Sequence, residues 1–230
     1  MVLRIAEFFQ EDKNLLQGKN VLVTAGATRE KLDPVRYFTN HSTGKMGFSI
    51  AESAARHGAN VTLITTSKAL PVPHGVEAIY VESAEEMHQA VNERKVSQDI
   101  FVMTAAVADY TPAQVSDQKI KKQPGDFTIA MKRTKDILLE IGQHKTSEQV
   151  VIGFAAETEN VEANARKKLT SKNADMIVAN NISEAGAGFS GDTNIVTFYR
   201  KDGSSEALPI LDKKEVAEHI IKEAANFLRK

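Results

Sequence analysis

Apolar residues fall in short uninterrupted runs that alternate with segments of helical period. Asn20–Val23 with Thr24, after Gly18, reads as a buried strand. Met46–His57 reads as a helix: Met46, Ile50 and Ala54 share one face, widened by Phe48, Ala51 and Ala55, and Gly58 stands where a helix-ending glycine belongs. Val61–Thr65 is the next strand; 66–75, with Pro71, Pro73 and Gly75, is a loop, and Ile79–Val81 a further strand. Ser83 and Glu86 form a capping box opening a helix over 84–95, and Ile100–Ala106 follows as a strand. Residues 108–126 break the rhythm: polar, aperiodic and carrying two prolines, they predict a long, mobile functional loop. Phe127–Met131 alternates like a strand; 136–144 reads as a helix, 150–156 as a strand, Val161–Lys172 as a helix and Met176–Ala179 as a strand. Ile195–Tyr199 and Glu206–Ile210 flank Asp202-Gly203, a hairpin signal, and Lys213–Lys230 closes as an amphipathic helix.

Strands separated by helices of about ten or more residues imply parallel pairing through right-handed crossovers. The expected fold is α/β: a three-layer, Rossmann-like, mainly parallel sheet with helices on both faces and a C-terminal antiparallel edge hairpin. Residues 1–17 read as an amphipathic N-terminal helix or linker, and 18–230 as one domain. In such sheets ligands bind beyond the carboxyl ends of the strands, so the loops after 20–24, 100–106 and 150–156 are expected to share one cleft.

Composition narrows the chemistry. The 230 residues contain no cysteine, which removes disulfides, thiolate metal sites and a cysteine nucleophile, and suits a reducing cytoplasm. A net charge of −1 offers no basic field for nucleic acid. No stretch approaches the roughly 18 to 20 apolar residues of a membrane span, and the N-terminus has no signal-peptide core. The expected location is therefore the cytoplasm. None of the six histidines forms an i,i+4 pair, and no G-x-S-x-G elbow occurs.

The expected cleft loops hold the candidate chemistry. Thr24–Glu30 is a small-residue turn that lets the backbone approach a phosphate; it reads equally as a plain tight turn. Its single glycine is not a dinucleotide fingerprint, and no tyrosine has a lysine four residues on, which counts against an NAD(P)-dependent oxidoreductase. Gly44-Lys45 resembles a P-loop only in passing, since position 39 is Thr39 and Met46 follows the lysine. What remains, from Arg36 through Asn40 to Ser42 and Thr43, is a set of donors ahead of a helix N-terminus, a place that stabilises anions. Ser42 or Thr43 also serves as a helix cap. Asn40 can hold a carbonyl or carboxylate without charge. Asp109, in AAVADY, could take a ribose hydroxyl or hydrated cation, or act as a turn residue. Lys119, Lys121 and Lys122 repel one another unless solvent or a polyanion screens them. Lys168 and Lys172 share one helix face, where like charges cost a few tenths of a kcal/mol that a bound phosphate would offset.

TAGATREKLDPVRYFTNHSTGKMG, AAVADY, KIKK and GFAAET, in this order, resemble bacterial phosphopantothenoylcysteine synthetases from about residue 18 to 200. The resemblance implies a ligase that joins 4′-phosphopantothenate to L-cysteine with CTP. The carboxylate attacks the α-phosphate, giving an acyl-cytidylate and pyrophosphate, and the cysteine amine then displaces CMP; Mg²⁺ accompanies the triphosphate. By matching motifs, Asn40 holds the acyl-phosphate intermediate, Arg36 helps build that pocket near a dimer partner, and Lys119 neutralises the transferring phosphate. Met103, Thr104, Ala105, Asp109, Phe154, Lys168 and Lys172 match positions lining the CTP site. Lys135, Asp136, Ile137 and Leu138 match a further nucleotide-contacting stretch, although the family often has Asn-Pro where this chain has Thr134-Lys135. The motifs assign no metal ligand. The resemblance also implies a homodimer and, as is frequent in bacteria, fusion to a flavin-dependent decarboxylase domain.

Overall fold

The computed structural model describes residues 14–122, 124–181, 188 and 191–229. The helix or linker expected over 1–17 lies outside them save for its last four residues, of which Leu16 is buried and donates its amide to the His57 carbonyl at 3.0 Å.

The strands are β1 (Asn20–Ala25), β2 (Arg29–Lys31), β3 (Tyr37–Thr39), β4 (Asn60–Thr65), β5 (Val76–Tyr80), β6 (Ile100–Met103), β7 (Tyr110–Pro112), β8 (Met131–Arg133), β9 (Val150–Glu157), β10 (Met176–Asn181), β11 (Thr193–Asn194), β12 (Val196–Arg200), β13 (Ser205–Ala207) and β14 (Leu211–Asp212). The helices are α1 (Lys45–Arg56), α2 (Ala84–Asn92), α3 (Ile137–His144), α4 (Val161–Ser171) and α5 (Lys213–Phe227). Eight strands form one sheet in the order β13-β12-β10-β9-β6-β1-β4-β5. From β10 to β5 every pairing is parallel; β12 and β13 add the antiparallel hairpin expected at the edge. The chain starts at β1, winds outward through β4 to β5, then crosses back to β6 and winds the other way. The order reverses between β1 and β6, and a crevice opens there.

Both sheet faces are covered, so the central strands are apolar throughout rather than alternating. Val21 and Val23 point toward α1 and α5, packing with Phe48, Ile50, Ile220 and Ile221. Leu22 points the other way with Ile64, Phe101 and Ile177, toward Met87 of α2, Ile141 of α3 and Leu169 of α4. A one-residue slip of β1 would exchange these two sets, so its register is strongly specified.

The differences from expectation are local. Strand β6 stops at Met103, not at residue 106, because Thr104 turns its hydroxyl onto the Thr24 carbonyl (2.6 Å) and Ala106 makes an isolated bridge to Ala27. Residues 108–126 are not wholly a loop: β7 pairs antiparallel with β8. The strand expected over Phe127–Met131 begins only at Met131, since pairing runs from Tyr110 to the Ala113–Ala130 hydrogen bond (2.9 Å), and Phe127 is exposed. Within the first long loop, β2 and β3 form a second two-stranded ribbon. Neither Ser42 nor Thr43 caps α1; its N-cap is Gly44, at φ 87° in the left-handed region that favours glycine. Ser83 accepts the Glu86 amide as expected, while Glu86 reaches back to the amide of Glu82. No described helix is long and apolar enough to cross a membrane.

Candidate active site

Three strand ends meet at the crevice, and hydrogen bonds from small polar residues stitch them. Thr104 binds the Thr24 carbonyl, and the Ala105 amide donates to the Thr24 hydroxyl at 3.2 Å. Beyond this the AAVADY strip is fastened from two sides. The Ala106 amide donates to the Gly26 carbonyl (2.8 Å) and the Ala108 amide to the Thr28 hydroxyl (2.9 Å). Thr134 then closes the far side, its hydroxyl on the Ala108 carbonyl (2.5 Å) and its amide on the Asp109 carbonyl (3.0 Å). The departing segment is thus held open and extended across the crevice.

Gly47 brings α1 onto this floor. A Cβ there would stand 2.5 Å from the Ala25 Cβ and 2.7 Å from the Thr104 hydroxyl, so only glycine lets the first turn of the helix approach the strand ends. That first turn, Gly44 to Gly47, lines the crevice, and a helix N-terminus there can stabilise an anion.

The crevice has two joined lobes. The first, about 450 Å³, brings together ten of the residues expected at a nucleotide: Met103, Ala105, Asp109, Lys135, Asp136, Ile137, Leu138, Phe154, Lys168 and Lys172. Tyr110, Arg133 and Thr134 also line it, with Thr24, Val107 and Ala108. The second, about 260 Å³, shares Ala105, Asp109, Phe154 and Lys168 with the first and adds Thr104, the Ser42–Gly47 arc, Asn180, Asn194 and Lys213. Met103, Thr104, Ala105 and Phe154 are placed by the ends of β6 and β9, Asp136 to Leu138 by the first turn of α3, and Lys168 and Lys172 by the end of α4.

Charge is concentrated on the walls. Lys168 donates to the Phe154 carbonyl at 2.7 Å; burial pushes its ammonium below the usual lysine value, Glu157 opposes that shift and Lys172 adds to it. Lys172 is paired with Asp136, whose other oxygen caps α3 through the Leu139 amide (2.9 Å). Lys135 pairs with Glu85 at 3.0 Å, and that bond holds the Glu85 carboxyl below its ordinary range. Lys213 is almost wholly buried at the start of α5 and gives its ammonium to the carbonyls of Gly191, Thr193 and Gly188; burial, then Lys45, lowers its pKa. Among the described residues no cluster of three or more His, Cys, Asp or Glu side chains could hold a metal ion alone.

Asn40 lies at the rim, its amide donating to the Ala106 carbonyl at 3.1 Å. Arg36 and the Lys119 segment meet each other: the Arg36 guanidinium donates to the Ile120 carbonyl at 2.8 Å. Neither Arg36 nor Lys119 lines the two lobes within one chain. Arg133, Asn180, Asn194 and Lys213 were not anticipated. Asn180 stands at the carboxyl end of β10, so the strand-end rule could have found it. Arg133 lies two residues before the stretch singled out at Lys135–Leu138, and Lys213 looks like any surface lysine until α5 is docked.

The chain matches the family model described as DNA/pantothenate metabolism flavoprotein C-terminal domain over residues 16–228. The coenzyme A biosynthesis bifunctional protein CoaBC of Bacillus subtilis is 51% identical over 227 residues, which cover 97% of this chain and 56% of that protein. Its namesake from Vibrio cholerae is 48% identical over 214 residues, covering 91% and 53%. A crystal structure of the C-terminal domain of a CoaBC protein superimposes with a TM-score of 0.81 at 48% identity, covering 94% of this chain and 98% of that one. The chain spans about half the length of the curated relatives it matches.

Proposed function

The chain belongs to the DNA/pantothenate metabolism flavoprotein C-terminal domain family, and from that premise we propose that it is a phosphopantothenate–cysteine ligase of coenzyme A biosynthesis, using CTP. One observation carries the reading: residues from the stretches 42–47, 103–110, 133–138, 154–156 and 168–172 converge on a single two-lobed crevice at the sheet's switch point, with lysines on its walls and a helix N-terminus at its floor.

In this reading the first lobe takes the nucleoside and the second the polyphosphate. Backbone N–H groups of the Ser42–Gly47 arc would cradle phosphate oxygens, and Lys168, which lines both lobes, would neutralise them, with Lys172 beside it on the wall of the first lobe. The carboxylate oxygen of 4′-phosphopantothenate attacks the α-phosphorus as the bond to pyrophosphate breaks, leaving an acyl-cytidylate. The cysteine amine then attacks the acyl carbon; CMP departs and the amine proton is released. Activation is needed because a carboxylate is a poor acyl donor and CMP a far better leaving group than oxide. Asn40 suits the acyl group: its amide donates a hydrogen bond without bringing a negative charge toward a carboxylate. Mg²⁺ typically keeps one or two carboxylates and takes its other ligands from phosphates and water, so Asp109, lining both lobes, fits the role that no protein cage fills. The ion would supply charge neutralisation.

Lys119 and Arg36 enter through a second copy. The two ribbons expose Val35 (60%), Tyr37, Phe38, Tyr110 and Met131, with Phe127 (62%) beside them, a density of large apolar side chains that calls for a partner. We place a homodimer there, each chain offering its Arg36 and Lys119 to the other's crevice. The part of the longer relatives that this chain does not cover is proposed to be the flavin-dependent decarboxylase, and the enzyme to work in the cytoplasm.

The test is pyrophosphate release with CTP or ATP and 4′-phosphopantothenate, with and without cysteine. Release with CTP before cysteine is added, and amide product with CMP afterward, is expected. Tight CTP binding without release would make the chain a nucleotide-binding regulator, and nicotinamide binding in its place would make it an oxidoreductase.

A further inference from the structure

Asp33 occupies the turn between β2 and β3, and its side chain has no exposed surface. Its two oxygens have different tasks. Oδ1 accepts the amides of Val35 and Arg36, both at 2.8 Å, which is the ordinary work of an aspartate in a turn. Oδ2 accepts Nε (3.0 Å) and Nη2 (2.5 Å) of Arg36 and also the amide of Ile120 at 3.0 Å, 87 residues further along the chain. Arg36 closes the ring by donating to the Ile120 carbonyl at 2.8 Å. The Ser116 amide, on the Leu32 carbonyl at 3.0 Å, makes a second stitch between the same two segments. The Arg36 guanidinium, followed by the Ile120, Val35 and Arg36 amides, outweighs desolvation and holds the Asp33 carboxyl well below the usual carboxylate range, so it remains an acceptor at any working pH.

Ile120 lies between Lys119 and Lys121, whose side chains are exposed. The segment is gripped through its backbone alone, which leaves the ammonium groups outside the knot. A turn needs only Oδ1; the second oxygen is spent on joining Arg36 to a distant basic loop.

We propose that Asp33 is a positioning residue of the ligase reaction: it locks the Lys119–Lys122 segment to Arg36, so that both cations reach the reacting phosphate as one preset unit. This rests on the function proposed above. Preset geometry matters because a displacement of about 1 Å at a reacting centre can cost on the order of a hundredfold in rate.

Asp33→Asn separates the two tasks. The amide keeps one oxygen for Val35 and Arg36, and turns an N–H donor toward the donors of Arg36 and Ile120. We expect exchange of the Ile120 amide to rise at least about tenfold, while the amides of Val35 and Arg36 stay protected and trypsin cuts faster after Lys119, Lys121 and Lys122 only. In the pyrophosphate assay kcat should fall roughly 10- to 100-fold with KM for CTP within about twofold. The double variant Asp33→Asn/Lys119→Gln should be no slower than Lys119→Gln alone. Ile120→Pro, which removes the single amide donor and leaves Asp33 and Arg36 intact, should reproduce the kcat loss. Unchanged Ile120 exchange in Asp33→Asn overturns the lock, and so does raised exchange with unchanged kcat or with losses that multiply. Absence of pyrophosphate release by the wild type would overturn the ligase reading instead, and the exchange measurement would still decide the lock.

Discussion

Replacing Gly142 with alanine should destabilise the protein and weaken nucleotide binding together. Gly142 lies inside α3, where alanine ordinarily gains about 1 kcal/mol over glycine. A Cβ at this position, however, would stand 3.0 Å from the carbonyl carbon of Lys172 and well inside contact distance of its oxygen, with the Asn173 carbonyl carbon at 3.5 Å. These are backbone atoms and cannot rotate away. The Asn173 side-chain Nδ2, which donates to the Gly142 carbonyl at 2.7 Å, would be pushed off as α3 and the end of α4 separate. Overpacking costs about 1–3 kcal/mol and the lost hydrogen bond about 1 kcal/mol, against the gain of about 1 kcal/mol in helix propensity. The net loss is about 1–3 kcal/mol, or roughly 2–12 °C in Tm for a domain of this size. The same separation pulls Lys172 from Asp136, and both line the crevice, so KM for CTP should rise about tenfold. Thermal melts with and without CTP, alongside steady-state pyrophosphate release, measure both. A variant with unchanged or higher Tm and unchanged CTP affinity would refute the packing of α3 on Lys172 from which the numbers follow.

Asn40→Asp sets a carboxylate against the Ala106 carbonyl and the substrate acid; pyrophosphate release should fall about a hundredfold, and unchanged kinetics would remove Asn40 from the mechanism. Lys119→Gln, at an exposed side chain, should lose activity by a similar factor with no change in Tm, and a shift in Tm alone would mark it as structural. Lys213→Met withdraws an ammonium from three carbonyls and should cost about 1–3 kcal/mol in urea denaturation; an unaltered midpoint would show that those carbonyls find other partners. Lys168 has its pKa lowered first by burial, and a polyphosphate would raise it again. Between the lowered and restored values CTP binding must take up protons, and below the lowered value it must not. Calorimetry in buffers of different ionisation heat reads this directly, and zero uptake across the alkaline range would place the phosphates away from Lys168.

How far the fold could be read from the chain depended on whether each element is stabilised within it. Strands β1, β4, β6, β9 and β10 are buried on both faces, so each shows as an apolar run, and the crossover helices show their period because one face meets the sheet. Position after a strand then pointed to Ala105 and Asp109, the family resemblance added Met103 and Phe154, and the spacing of Lys168 and Lys172 put both on one wall. The ribbons β2–β3 and β7–β8 gave no such signal. Their residues are mostly exposed, their partners are up to about twenty positions distant, and their hydrogen bonds run through backbone groups that carry no sequence pattern. What was visible in them was a contradiction: Val35, Tyr37, Phe38 and Tyr110 are too apolar for the solvated loops they resembled. In the homodimer proposed above a second copy would cover these side chains. Arg36 and Lys119, singled out as chemistry yet away from the crevice of their own chain, would reach a reacting phosphate only through that second copy.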